Sequence, residues 1–111
     1  MDSSTPVQAQ GIPSGIIAVA VGGIHTCVIA NGAAKCWGGN SHGELGNGTT
    51  TDSLSPVQVL GLTAGVTAIV ASSQTCAIVN GAVKCWGLND QAQLGDGTTT
   101  DRSTPVTVTG L

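Results

Sequence analysis

Four cysteines, two histidines and six carboxylates are the side chains of this 111-residue chain that could do chemistry, and their spacing decides which chemistry. The cysteines come as Cys27 with Cys36 and Cys76 with Cys85, each pair separated by eight residues. Tetrahedral zinc draws on close Cys-x-x-Cys pairs, which these gaps do not supply. Two readings remain at this point, thiols packed as small core residues and disulfides within each pair. His25 and His42 could act as general bases, yet their counterparts in a second copy of the segment are Gln74 and Gln91. No Ser–His–Asp or Cys–His arrangement surrounds them, so no catalytic residue is expected. Asp52, Asp96 and Asp101 lack the alternating density of a calcium loop, and Asn47 stands where the second copy has Asp96. Turn chemistry accounts for them better, since Asn and Asp bond nearby backbone. Asn47-Gly48-Thr49 is a formal glycosylation sequon, which matters only in a eukaryotic secretory pathway. Neither a metal nor a cofactor is expected.

The elements that hold these residues are written twice. Cys27-Val28-Ile29-Ala30-Asn31-Gly32-Ala33-Ala34-Lys35-Cys36-Trp37-Gly38 returns as Cys76-Ala77-Ile78-Val79-Asn80-Gly81-Ala82-Val83-Lys84-Cys85-Trp86-Gly87, identical at nine of twelve positions. Asn31-Gly32 and Asn80-Gly81 are signatures of a two-residue type I′ turn. With those residues as the loop, Ala30 faces Ala33 and, outward in step, Cys27 faces Cys36; the second copy sets Cys76 opposite Cys85. Each cysteine pair then occupies a non-hydrogen-bonded site, where Cα atoms approach to about 4.5 Å, within disulfide reach. The register thus favours disulfides Cys27–Cys36 and Cys76–Cys85. Each closes a ten-residue loop, which by chain entropy contributes about 2.5–3 kcal/mol. Paired cysteines point to an oxidising compartment, extracellular or at a cell surface for the parent protein.

Ile16-Ile17-Ala18-Val19-Ala20-Val21 and Val66-Thr67-Ala68-Ile69-Val70-Ala71 are short apolar runs between turn residues, which predict strands buried on both faces. Gly22-Gly23-Ile24-His25 stands against the shorter Ser72-Ser73-Gln74, so this connection is expected to turn differently in the two copies. Leu45-Gly46-Asn47-Gly48-Thr49-Thr50-Thr51-Asp52 also recurs, as Leu94-Gly95-Asp96-Gly97-Thr98-Thr99-Thr100-Asp101, ahead of proline-opened strands at Pro56 and Pro105. Proline suits an edge strand. A third copy of that strand stands alone at Pro6-Val7-Gln8-Ala9. The organisation is therefore an orphan outer strand in 1–12, repeat 1 in 13–62 and repeat 2 in 63–111. A period near fifty residues marks propellers and other repeat arrays.

Gly-Gly-Ile-His-Thr-Cys at 22–27, Cys-Trp-Gly-Gly-Asn at 36–40, Gly-Glu-Leu-Gly-Asn-Gly-Thr at 43–49 and Pro56-Val57 together resemble the regulator of chromosome condensation repeat. The resemblance covers essentially the whole chain. It implies an all-β fold of four-stranded antiparallel β-propeller blades, seven to a ring in the eukaryotic founder, with rim loops that meet protein partners. The paired cysteines resemble a variant common in bacterial relatives. Nucleotide exchange on a small GTPase is implied for the eukaryotic relative, and no residue here maps to that role.

Composition bounds the partners. Charged residues are 8% of the chain and the net charge is −3, with no basic stripe, so nucleic acid is not expected. No apolar run is long enough to span a bilayer, and Met1–Pro6 lacks the pattern of a signal peptide. Trp37 and Trp86 are the only aromatic residues; with Leu45 and Leu94 they are expected to pack between blades. Two blades leave apolar flanks, which rings of roughly four to eight blades bury by closure. The chain reads as an excised or designed propeller fragment that closes as a trimer of six blades or a tetramer of eight, seven being impossible from whole copies. Pro6, Val7, Gln8 and Ala9 are the candidates for strand exchange between copies. An unknown protein partner is the second expectation.

Overall fold

The computed structural model describes residues 15–89, Thr98 and residues 100–108. The orphan strand Pro6–Ala9, Leu94 and the Asp96 loop lie outside the described residues. Among the described residues eight strands follow in chain order, β1 (Ile16–Val21), β2 (His25–Ala30), β3 (Ala33–Gly38), β4 (Ser53–Gln58), β5 (Val66–Ala71), β6 (Gln74–Val79), β7 (Ala82–Gly87) and β8 (Arg102–Thr107). They form two antiparallel four-stranded sheets, ordered β1-β2-β3-β4 and β5-β6-β7-β8. No helix is present among the described residues, so none is long enough to cross a membrane.

Each sheet is organised by its central hairpin. Asn31 and Asn80 sit at φ of 54° and 50°, with Gly32 and Gly81 at 80° and 82°, the left-handed pair a type I′ turn requires. From there β2 pairs β3 as Ala30↔Ala33 through Cys27↔Cys36, and β6 pairs β7 as Val79↔Ala82 through Cys76↔Cys85. The sulfurs are bonded in both pairs, with Cα atoms 4.0 and 4.1 Å apart. Register irregularities recur at matching places, between Ile16 and Ala18 and between Cys36 and Gly38 in the first sheet, and at Val66/Ala68 and Cys85/Gly87 in the second. The β1–β2 connection holds three residues where β5–β6 holds two, yet both close with the same bond: Gly22 N–H to the His25 carbonyl (2.7 Å) and Ser72 N–H to the Gln74 carbonyl (2.8 Å).

The sheets stack, with β5 lying against β1 and β2. Cys27, Ile29, Ala34 and Cys36 of the first sheet meet Val66, Ile69, Ala77, Val79 and Trp86 of the second, and Leu45, Val59 and Leu62 close the core around them. The inner strands differ from the sequence expectation, because β1 is buried on one face only. Ala20 turns into the core, whereas Ile17, Val19 and Val21 point to solvent. An apolar run records that a strand can be covered on both faces; it does not supply the second cover.

Candidate functional site

Among the described residues, the junction between the sheets gathers the buried polar side chains His25 and Thr75 with the indole of Trp86. Side chains alternate faces along each strand, so Thr75 and Trp86, which pair across β6 and β7, face the first sheet, while Cys76 and Cys85 face away. Trp86 is fully buried and its Nε1–H donates to the backbone carbonyl of Glu44 at 2.7 Å. Thr75 donates its hydroxyl proton to the same carbonyl at 3.1 Å. His25 Nε2 lies 2.7 Å from that hydroxyl oxygen. Thr75 has one proton, already given to Glu44, so His25 must donate through Nε2–H. The opposite ring nitrogen, Nδ1, is buried with no hydrogen-bond partner among the described residues. The chain of donors therefore runs from repeat 1 into repeat 2 and back to the Glu44 loop.

Burial pushes the His25 pKa below its ordinary value, and the nearby Glu44 carboxylate only partly opposes this. The unfolded chain then binds the proton more tightly than the folded one. Stability is level for this group above about pH 6.5 and falls as pH drops from there toward the folded-state pKa, by at most about 1.4 kcal/mol per pH unit. Thermal melts between pH 7.5 and 5 should show this slope, and His25→Gln, which installs the residue repeat 2 carries as Gln74, should flatten it. An unchanged slope in the variant would assign the acid sensitivity elsewhere.

A second set of polar residues builds the loops. Buried Asn40 donates through Nδ2 to the carbonyls of Thr49 (2.9 Å) and Thr51 (3.0 Å) and accepts at Oδ1 from Leu45 N–H (2.9 Å). Asn89 repeats this with the carbonyls of Thr98 (3.0 Å) and Thr100 (2.9 Å). Asp52 and Asp101 each accept the backbone N–H of those asparagines at 2.8 Å. The aspartates thus tie loop ends twelve residues apart rather than bonding only their neighbours; Asn47, which accepts from Thr49 N–H at 3.2 Å, is the local case. His42 Nδ1 of repeat 1 lies 2.8 Å from Asp101 Oδ2 of repeat 2 in an exposed hydrogen-bonded contact. Burial works to raise the Asp101 pKa, but the Asn89 N–H and His42 more than offset it, and the net shift is downward. No group of three or more His, Cys, Asp or Glu side chains converges to hold a metal among the described residues, and His25 and His42 are engaged in separate contacts.

The two flanks differ in cover, not in kind. On the flank that repeat 1 turns toward repeat 2, Ala20 is 9% exposed and Ile29 0%. The same strand positions on the far flank of repeat 2 are Val70 at 65% and Ile78 at 39%. There, Ala68, Val70, Cys76, Ile78 and Val83 border an apolar hollow of about 220 Å³. On the opposite flank the inner strand is uncovered, Val19 being 60% exposed whereas its counterpart Ile69 is 8% exposed against repeat 1, while Val28 and Ala30 on the same face of β2 are buried. Trp37, expected between blades, is only half-buried on this open flank; Leu45 is fully buried in the core. Sequence reasoning missed Glu44, whose role at the junction is played by its backbone, which no residue type signals.

Comparison with known proteins places this arrangement. The profile of the Regulator of chromosome condensation (RCC1) repeat matches residues 31–79 and 80–111, starting at the two hairpin turns. Human and mouse E3 ubiquitin-protein ligase HERC2 are 46% identical over 48 residues, 42% of this chain and 1% of theirs. The structure superposes on human WBSCR16 with a TM-score of 0.80 at 21% identity, covering 96% of this chain and 28% of that one. It superposes on yeast RCC1 (Prp20), solved bound to Kap60, with a TM-score of 0.69 at 26% identity, over 86% of this chain and 25% of that one. A second structure of Prp20p from Saccharomyces cerevisiae, described with its binding properties to Gsp1p and histones, gives 0.68 at 26%, over 86% and 26%. The chain thus spans about a quarter of these solved chains and a hundredth of the curated relatives.

Proposed function

The chain belongs to the regulator of chromosome condensation repeat family, and on that footing we propose that it is a β-propeller scaffold whose act is self-assembly, without catalysis of its own. Copies dock head to tail, the far flank of repeat 2 on the open flank of repeat 1, until a ring of six or eight blades closes. The observation that carries this is the mismatch in cover between equivalent positions, Val70 against Ala20 and Ile78 against Ile29. A flank of that composition is covered inside the chain by another repeat. For this chain on its own, a second copy supplies one. Heterologous contacts of this kind close when the rotation per unit divides the circle. The disulfides Cys27–Cys36 and Cys76–Cys85 support an extracellular or cell-surface location for the parent protein.

Light scattering at micromolar concentration tests the reading. The expected mass is three or four times that of the 10.8 kDa chain; a stable monomer at every concentration rules assembly out. A protein-interaction module is the second reading, supported by the outer strand β4, which presents Leu54 almost wholly to solvent near its start, and by the exposed Leu60 past its other end. It applies if the chain stays monomeric yet retains a partner.

A further inference from the structure

The two disulfides sit in different surroundings although they occupy equivalent register positions. Cys27 and Cys36 are sealed between the sheets, with no exposure. Cys85 is buried, but Cys76 is half-buried and borders the hollow on the far flank of repeat 2, beside the exposed Val70 and Ile78. An incoming sulfur nucleophile has a route to Cys76 and none to the first pair. Thiol–disulfide exchange depends on that access as much as on the acidity of the thiols.

We propose that Cys76 is a site of exchange with low-molecular-mass thiols, and that the adduct formed there blocks the docking flank. A thiolate attacks Sγ of Cys76, the Cys76–Cys85 bond breaks, and the electron pair leaves on Cys85, which takes up a proton. The product is a mixed disulfide on Cys76 and a free thiol at Cys85. A second thiolate releases the adduct as a small-molecule disulfide and leaves two protein thiols, completing a two-electron reduction of the pair. The hollow gives the first step room, and the mixed disulfide then places a polar group where another repeat would pack. Sealed by a docked repeat, as its counterpart Cys27 is, Cys76 would be out of reach. The exchange site stands on the exposure of Cys76; its effect on assembly rests on the self-assembly reading above.

Glutathione, incubated with the chain at submicromolar concentration and quenched with N-ethylmaleimide at intervals, tests both parts. Peptide mapping should find glutathione on Cys76 and maleimide on Cys85, accumulating about tenfold faster than any modification of Cys27 or Cys36. Equal rates at the two pairs, faster modification of Cys27 and Cys36, or an adduct placed first on Cys85 overturns the exchange site. At concentrations where light scattering reports oligomers, Cys76 should be protected and the purified adduct should stay monomeric. Oligomers that leave Cys76 as reactive as in the dilute chain overturn the blocking role. A chain that never assembles defeats the scaffold reading and the blocking role together, while the ranking of the two disulfides is decided by the dilute reaction alone.

Discussion

Trp86→Ala should destabilise the folded chain by about 3–5 kcal/mol, whereas Trp37→Ala should cost roughly 1–2 kcal/mol in the dilute chain. The two tryptophans occupy the same position of their repeats, so residue type does not separate them; cover does. Trp86 has no exposure and lies against Gly46, where an added Cβ would come within 2.7 Å of Nε1. Removing the indole opens a void between the sheets and takes one of the two donors from the Glu44 carbonyl. Trp86→Phe keeps most of the packing and removes the donor, so its cost, about 1–3 kcal/mol, combines the lost hydrogen bond with the smaller ring. Urea unfolding of the three variants at low concentration is the measurement. Similar losses for both alanine variants would contradict the asymmetry. If copies dock, the cost of Trp37→Ala should grow with protein concentration, because a docked repeat would cover it as Trp86 is covered.

Val70→Asp should leave the single chain folded and weaken its assembly by at least about a hundredfold, since an unpaired carboxylate sealed between blades costs several kcal/mol. In the isolated chain this carboxylate would face water. The equivalent substitution in repeat 1, Ala20→Asp, puts the same charge into the occupied junction and should unfold the chain. Circular dichroism reports the fold and light scattering the association. A Val70→Asp variant that assembles like the unmodified chain would place the contact between copies elsewhere.

The parts of the fold legible in the sequence are those governed by local covalent geometry. Asn31-Gly32 and Asn80-Gly81 demand a tight turn, and counting outward pairs Cys27 with Cys36 and Cys76 with Cys85. The repeated motifs carry the family in the same way. What could not be read depends on neighbours. The runs at Ile16 and Val66 look alike, yet Val19 faces water and Ile69 does not, because only one has a sheet beyond it. Asp52 and Asp101 look like turn residues, and their bonds reach twelve residues back. His25 looks like a possible base, and its use is to reach Thr75, fifty residues on.

The Glu44 carbonyl takes both its donors from the other repeat, so the bond energy there belongs to the junction and to neither sheet. An open row of n such units has n − 1 junctions, and a closed one has n. The last junction forms with every chain already ordered, so it adds contact energy at little further entropic cost. Once shut, a circle of this design can release a member only by parting two junctions at once. Resistance to dismantling would therefore rise abruptly at closure instead of growing step by step with length.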